Sequence, residues 1–361
     1  MPRCYVADTP ILDQRLRTAW NAMRARDPVL ASPYFAPEFY EAVANVTRSA
    51  RLLIAEDGGA PVAFLPFQRR PAGANGPIGG HLNDIHGLVA APGFALAPDL
   101  LLEAGNIPML SLRQAPIGPA ALGARFGQPH GFHVMTLEGG FAAYEARREP
   151  YAKSAFRAIR TRTEKARKQF GSVTLKFDDR SSAALETLIG WKTAQYIETR
   201  KASPFGFAWV RELVERLHTS RDPELRGQLS SLYFGDKMVA AHFGLRARGV
   251  LHYWFPGYDH TAAAELSPGN ILLKQMAEAL AAEGGTALHL GAGDYRYKHE
   301  FADTNFAVTD GVAFARSLAG RAAAAAGLTL VHVDRALPKR LAGLPAKALR
   351  RLDRHVGFKA A

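Results

Sequence analysis

The stretch Tyr253-Trp254-Phe255-Pro256-Gly257-Tyr258-Asp259, followed shortly by Ser267-Pro268-Gly269-Asn270, decides how this chain is read. An aromatic, apolar run that ends in a Pro-Gly pair is a strand leaving a sheet. Ser-Pro-Gly after a short crossing then opens a helix, which runs to Glu283 and is stopped by Gly284-Gly285. The first amides of a helix have no internal partner and carry the positive end of its dipole, so such a start suits a phosphate or carboxylate. Ser267 is expected at the N-cap and Pro268 at the first helical position, while Gly269 lets a ligand approach the backbone. An ordinary capped helix uses the same residues, so the neighbouring elements must decide.

Before the quoted stretch lie two more strands, Gln228 to Phe234 and Met238 to Arg246, and the third runs from Val250 to Pro256. The turns Gly235-Asp236-Lys237 and Ala247-Arg248-Gly249 are short enough for an antiparallel meander. After the helix come a strand at Ala287 to Gly291, a short helix at Tyr295 to Ala302 and a last strand at Phe306 to Phe314. Upstream, a basic helix is expected from Tyr151 to Phe170 and a strand from Val173 to Phe177. Two helices follow, one after Ser181-Ser182 and one from Phe207 to His218. The N-terminal half is a shorter echo. Helices are expected at Ile11 to Arg26 and from Pro37. Strands Arg51 to Glu56 and Pro61 to Arg69 flank the turn Asp57-Gly58-Gly59, and Pro71 to Gly80 reads as a loop. A helix at Pro98 to Ala104 and strands at Met109 to Arg113 and Gly131 to Leu137 complete it.

The fold class is therefore α/β, more narrowly an α+β arrangement with mixed, mostly antiparallel sheets, built as two similar domains in tandem. The expected divisions are an N-terminal domain at 1–140, a basic linker helix and first strand at 141–176, a C-terminal domain at 177–315 taken with 151–176, and a basic helical tail at 316–361.

With 361 residues, 48% hydrophobic and 22% charged, the chain has the composition of a globular protein with two cores. The net charge of +12 is concentrated. Residues 147–176 hold ten Lys/Arg and two acids, and so do residues 316–361, which leaves the rest slightly acidic. That favours local anion contacts over a general nucleic-acid face. Cys4 is alone, which excludes an intramolecular disulfide and a cysteine zinc site and suits the cytoplasm. The start Met1-Pro2-Arg3-Cys4-Tyr5 lacks a signal-peptide core, and no apolar run reaches the roughly 18 residues of a membrane span.

Five pieces stand in one order: Gly190-Trp191-Lys192-Thr193-Ala194-Gln195-Tyr196, Val239-Ala240-Ala241-His242-Phe243-Gly244-Leu245, Tyr253 to Asp259, Ser267-Pro268-Gly269, and Gly291-Ala292-Gly293-Asp294-Tyr295-Arg296-Tyr297-Lys298. On these the segment from Tyr151 to Phe314 resembles the GNAT-like acetyltransferases of bacterial cellulose and exopolysaccharide biosynthesis, relatives of the Fem-type transferases with tandem GNAT domains. The resemblance implies direct transfer of an acyl group, acetyl in the simplest case, from acyl-CoA to an amine or hydroxyl of a small molecule or glycan precursor. Donor and acceptor would meet where the central strands splay, with the donor's phosphates on Ser267, Pro268, Gly269 and Asn270. No metal is implied. The usual phosphate loop has spaced glycines, whereas Ala264-Glu265-Leu266-Ser267-Pro268-Gly269-Asn270 has one glycine and a proline without an N–H. A Fem-type aminoacyl-tRNA donor, or a silent binding protein, therefore stands as the alternative.

Such a reaction needs a proton acceptor and donors for the oxyanion. Lys298 follows a glycine-rich strand end, and a lysine in a similar context supports transfer in Fem-type relatives; it also reads as a surface lysine. Asp294 is a base or an orienter of Lys298. His242 shares a strand face with Ala240 and Gly244, and is either the base or a buried, hydrogen-bonded histidine. Tyr258 and Asp259 stand at the strand exit; Tyr258 is a further catalytic candidate, and Asp259, Trp254 and Tyr297 are expected to line the cleft as substrate contacts. Arg157 reads as an anion contact or a solvated charge. In His81-Leu82-Asn83-Asp84-Ile85-His86 the spacing matches no trusted metal signature, and a loop carrying Asp84 toward substrate is preferred. In the tail, Leu341, Leu344, Ala348 and Leu352 share one face among basic residues. They read as a solvated helix or as a peripheral contact with anionic lipid.

Overall fold

The computed structural model describes residues 2–261, 263–336 and 358–359. The chain divides into two compact units, Met1–His130 with Ala307–Ala361, and Gly131–Phe306.

The first unit runs β1 (Arg3–Ala7), α1 (Gln14–Arg24), α2 (Pro37–Ala44), β2 (Ala50–Asp57), β3 (Ala60–Gln68), β4 (Ala74–Pro77), β5 (Val89–Ala90), α3 (Pro98–Ala104) and β6 (Met109–Pro116). Strand β1 pairs antiparallel with β2, β2 with β3, and β3 with β4, whereas β4 and β6 are parallel. Asp13 caps α1 by accepting the Leu16 amide at 2.8 Å, and Trp20 is sealed beneath, stacked on Phe64 at 4.8 Å. This trims the expected helix at both ends.

The second unit runs β7 (Pro129–Thr136), α4 (Gly140–Phe170), β8 (Val173–Lys176), α5 (Ser182–Glu198), α6 (Ala208–Thr219), β9 (Arg226–Phe234), β10 (Lys237–Ala247), β11 (Val250–Tyr258), α7 (Pro268–Ala282), β12 (Ala287–Ala292) and α8 (Arg296–Phe301). Its strands lie in the order β7-β12-β11-β10-β9-β8, antiparallel except for the β11–β12 pair. One face is covered by α4 and α7. Phe156, Ile159, Ile271, Leu272, Leu273, Met276 and Leu280 bury there with Leu251, Tyr253, Leu288 and Leu290. The chain then returns to the first unit as β13 (Thr304–Phe314), which pairs antiparallel with β6, and α9 (Leu318–Ala336).

The tandem echo is closer than the sequence indicates, because two strands of the first unit are silent to patterning. β1 is a short edge strand at the N-terminus. β4 lies in the expected Pro71–Gly80 loop. Its Ala-Asn-Gly-Pro sequence has no β-branched residue, and at Gly76 the Arg70 guanidinium fills the space a Cβ would take. With both included, β1-α1-α2-β2-β3-β4-α3-β6 parallels β8-α5-α6-β9-β10-β11-α7-β12, down to the single parallel pair in each.

The basic helix also begins earlier than expected. It starts at Gly140 and bends at Ala152 (φ −128°, ψ 15°), just after Pro150. Proline removes one helical hydrogen bond and forces a kink. The helix survives because Tyr144 before the kink and Phe156 after it join the same core around Phe301. No helix among the described residues is long and apolar enough to cross a membrane. The amphipathic reading of Leu341, Leu344, Ala348 and Leu352 lies outside the described residues.

Candidate functional site

The β11–β12 pair is short. Val250, Leu251 and His252 face Ala287, Leu288 and His289, and there the parallel pairing stops. Beyond it β11 stays with β10, while β12 stays with β7 through Gly291 and Ala292. Irregularities in both strands drive the parting. β12 shifts register between His289 and Gly291, where Gly291 takes φ 75°. The β10–β11 register shifts between Phe243 and Leu245. A bulge bends its strand and re-aims the side chains beyond it. Leu251 and Tyr253 therefore join the α4/α7 core, whereas Phe255 meets Phe205 and Gly257 meets α5 through Leu188. The result is a fork between β11 and β12.

His242 sits at this bulge. It is fully buried, its ring stacks on Tyr253 at 4.3 Å, and its Nε2 accepts the Trp254 amide at 3.0 Å. That contact puts the ring proton on Nδ1. Burial, then the nearby His252, hold its pKa well below the ordinary value. Of the two readings for His242, the geometry matches the hydrogen-bonded buried histidine that pins the bulge. Its accepting nitrogen is already engaged. The Trp254 ring lies against Phe255 at 4.9 Å.

At the end of β12, Lys298 is 5% exposed, and its Nζ donates to the Ala292 carbonyl at 2.5 Å. A side chain at Gly291 would touch both Lys298 Nζ (3.8 Å) and His252 Nε2 (3.9 Å). An ammonium and an imidazole thus converge where Gly291 has no Cβ. Lys298 is not a surface lysine. The Asp294 carboxylate is 96% exposed and bonds His299 Nε2 at 2.6 Å. His299 in turn stands edge-on to His133 at 4.9 Å. The His133 pKa is lowered by burial first, then by His299 and Lys298. Tyr297 stands between Tyr253 (6.4 Å) and Tyr295 (6.1 Å), packed against the core under α4 and α7.

His252 and His289, which no motif in the sequence marks, face each other across the last pair of the fork. Both are buried beside Phe132, and burial followed by His252 brings the His289 pKa down to about 3. The available signal was a histidine in each of two otherwise apolar strands.

The start of α7 departs from the expected cap. Ser267 has left-handed backbone (φ 51°), and its hydroxyl makes no capping bond; its carbonyl instead accepts the Asn270 amide at 3.0 Å. The Ser267 amide is used by Ala264. Among the described residues the Gly269 amide, the Ser267 hydroxyl and the Asn270 carboxamide have no partner, and nothing lies within 4 Å of a Cβ built on Gly269. Three donors at the positive end of a 15-residue helix fit a phosphate, even though Pro268 contributes none.

Tyr258 is at the far end of β11, opposite Ala240, with its ring against His260. Asp259 holds the adjoining turn by accepting from the Thr261 hydroxyl (2.6 Å) and amide (2.8 Å) and pairing with Lys237 (3.1 Å). The Thr261 hydroxyl, its amide and Lys237 together bring the Asp259 pKa down to about 2. Arg157 is exposed on α4. In the first unit, His86 is buried with Nε2 on the Pro66 carbonyl (2.7 Å), His81 meets Arg113 (2.5 Å), and the charge of Asp84 acts on buried Tyr34.

Residues 153–299 match the family model described as an acetyltransferase (GNAT) domain. No curated protein matches the chain. Among solved structures, FemX is similar at 11% identity with a TM-score of 0.52, covering 82% of this chain and 94% of that one. The DUF2156 C-terminal domain assigned to a lysylphosphatidylglycerol synthetase from Agrobacterium fabrum is similar at 11% identity with a TM-score of 0.51, covering 86% of this chain and 95% of that one. A tandem GNAT protein from the clavulanic acid biosynthesis pathway matches at 12% identity and a TM-score of 0.47, over 88% of this chain and 99% of that one. At such identities the likeness is one of fold.

Proposed function

We propose that this chain is an acyltransferase that passes an acyl group from acyl-CoA directly to an amine or hydroxyl of a small molecule or a polysaccharide or cell-envelope precursor. The observation that carries this reading is the parting of β11 and β12 after His252 and His289, with buried Lys298 at its edge. Acyl-CoA supplies an activated thioester carbonyl. The unpartnered donors of Ser267, Gly269 and Asn270 hold its phosphate. The Lys298 ammonium faces the charge that develops on the carbonyl oxygen, in a site where burial strengthens that interaction. His252 stands on the other side of Gly291, beside the reacting groups. The test is titration of the purified chain with acetyl-CoA, read as a saturable rise in melting temperature. No rise with any acyl-CoA removes that donor.

A second reading, an aminoacyl-tRNA donor, is favoured by one specific feature. Arg157, Lys165 and Lys168 form an exposed stripe along α4 with no acidic partner among the described residues. Phosphate contacts made there would weaken steeply with salt. Salt-sensitive binding of tRNA that falls on reversing these three charges, with no response to acetyl-CoA, would select this donor.

A further inference from the structure

Lys192 lies in the motif Gly190–Tyr196 that the proposed chemistry leaves unused. It projects from α5 across β11 at Gly257. A Cβ there would meet Leu188 Cδ1 at 2.7 Å, Lys192 Cδ at 3.6 Å and Trp191 Cβ at 3.6 Å, so the glycine makes room for the lysine stem. The ammonium is half-buried. It donates to Gln195 Oε1 at 2.7 Å and stands 5.5 Å from the centre of the Tyr196 ring. Neither partner is charged. Burial first, then the like charge of Lys201, lower its pKa to about 8, and no carboxylate offsets them. Lys201 is held close by local chain geometry. α5 ends with Arg200 in the left-handed region (φ 53°), and the Lys201 amide folds back onto the Tyr196 carbonyl at 2.8 Å. Glu198, at the end of α5, is exposed.

Two like charges brought together, one of them half-buried, are a standing cost unless an anion joins them. A lone proton acceptor would account for Lys192 but not for Lys201. Gly257 is on the α5 face of β11, whereas Tyr253 of the same strand packs into the core with α7. Lys192 and α7 thus lie on opposite faces of the forked sheet.

We propose that Lys192 and Lys201 form an oxyanion-binding subsite on the acceptor side, so that the acceptor carries a phosphate or carboxylate group. This rests on the acyl-transfer reading for the word acceptor; the anion site itself does not. The test uses the full chain without any acyl donor. Wild type, Lys192→Met, Lys192→Arg and Lys201→Met are titrated with inorganic phosphate and, separately, with acetate at fixed ionic strength. Saturable binding of one anion by wild type is expected, about tenfold weaker in Lys192→Met and largely kept in Lys192→Arg. The anion that binds tells which acceptor group is recognised. Equal affinity in wild type and Lys192→Met, or no saturable binding of either anion by wild type, overturns the proposal. If Lys192→Met melts too early to titrate, Lys192→Gln and Lys201→Met carry the same comparison. Acetyl-CoA stabilisation measured on the same variants keeps the two readings apart: it should survive where anion binding is lost.

Discussion

At the scale of single residues, Lys298 and His252 flank Gly291 at the edge of the fork. A buried ammonium that faces developing charge contributes chiefly in the transition state, so Lys298→Met should lower acyl-transfer turnover by roughly 10²–10³-fold. Acetyl-CoA affinity should change little, and Lys298→Arg should recover part of the rate. Equal losses in turnover and affinity, or a collapse of the melting temperature, would assign Lys298 a packing role instead. Its position after a glycine-rich strand end was legible in the sequence. Its burial, its bond to Ala292 and its nearness to His252 were not, because they depend on how α8 folds back onto β12. Likewise the sequence allowed Asp294 to serve Lys298, and only the fold shows it turned outward to His299.

At the scale of elements, α7 separates what packing decides from what capping decides. Leu273 is fully buried, and Leu273→Ala should cost about 2–5 kcal/mol, read as a lower urea midpoint. Ser267 occupies the cap position, yet its hydroxyl caps nothing, so Ser267→Ala should cost less than about 0.5 kcal/mol. A loss near the roughly 1 kcal/mol of an ordinary serine cap would contradict the geometry. The meander β9-β10-β11 and the α7 boundaries could be read from turns and glycines. Three things could not. β4 has the composition of a loop, β1 is too short for a pattern, and α4 continues through Pro150 on the strength of tertiary packing alone. The fork itself was expected only through resemblance, since no single strand encodes where it leaves its neighbour.

At the scale of the whole molecule, each unit holds a buried neutral histidine. Burial lowers the pKa of His86 to about 4 in the first unit and that of His289 to about 3 in the second. The unfolded chain binds the extra protons once pH falls below the ordinary histidine value of about 6.5. Stability should therefore be complete above that value and decline toward pH 4, by on the order of 3 kcal/mol for each histidine. Urea midpoints at pH 7.5 and 4.5 should show the decline, and His289→Phe should flatten it. A midpoint that does not fall in acid would mean that these imidazoles are already protonated in the fold. The two-unit plan bears on function as well, because among the described residues the fork, buried Lys298 and the open start of α7 all belong to the second unit.

The central claim is that an acyl donor is held at the start of α7 beside the fork, and the most direct measurement is the melting temperature of wild type and Gly269→Trp as acetyl-CoA is added. Nothing lies within 4 Å of a Cβ at Gly269, so an indole there should leave the fold intact and fill the space meant for the phosphate. A saturable rise is expected for wild type, worth about 2.7 kcal/mol at a hundredfold excess over Kd, and none for the variant. A rise of the same size in Gly269→Trp would contradict it.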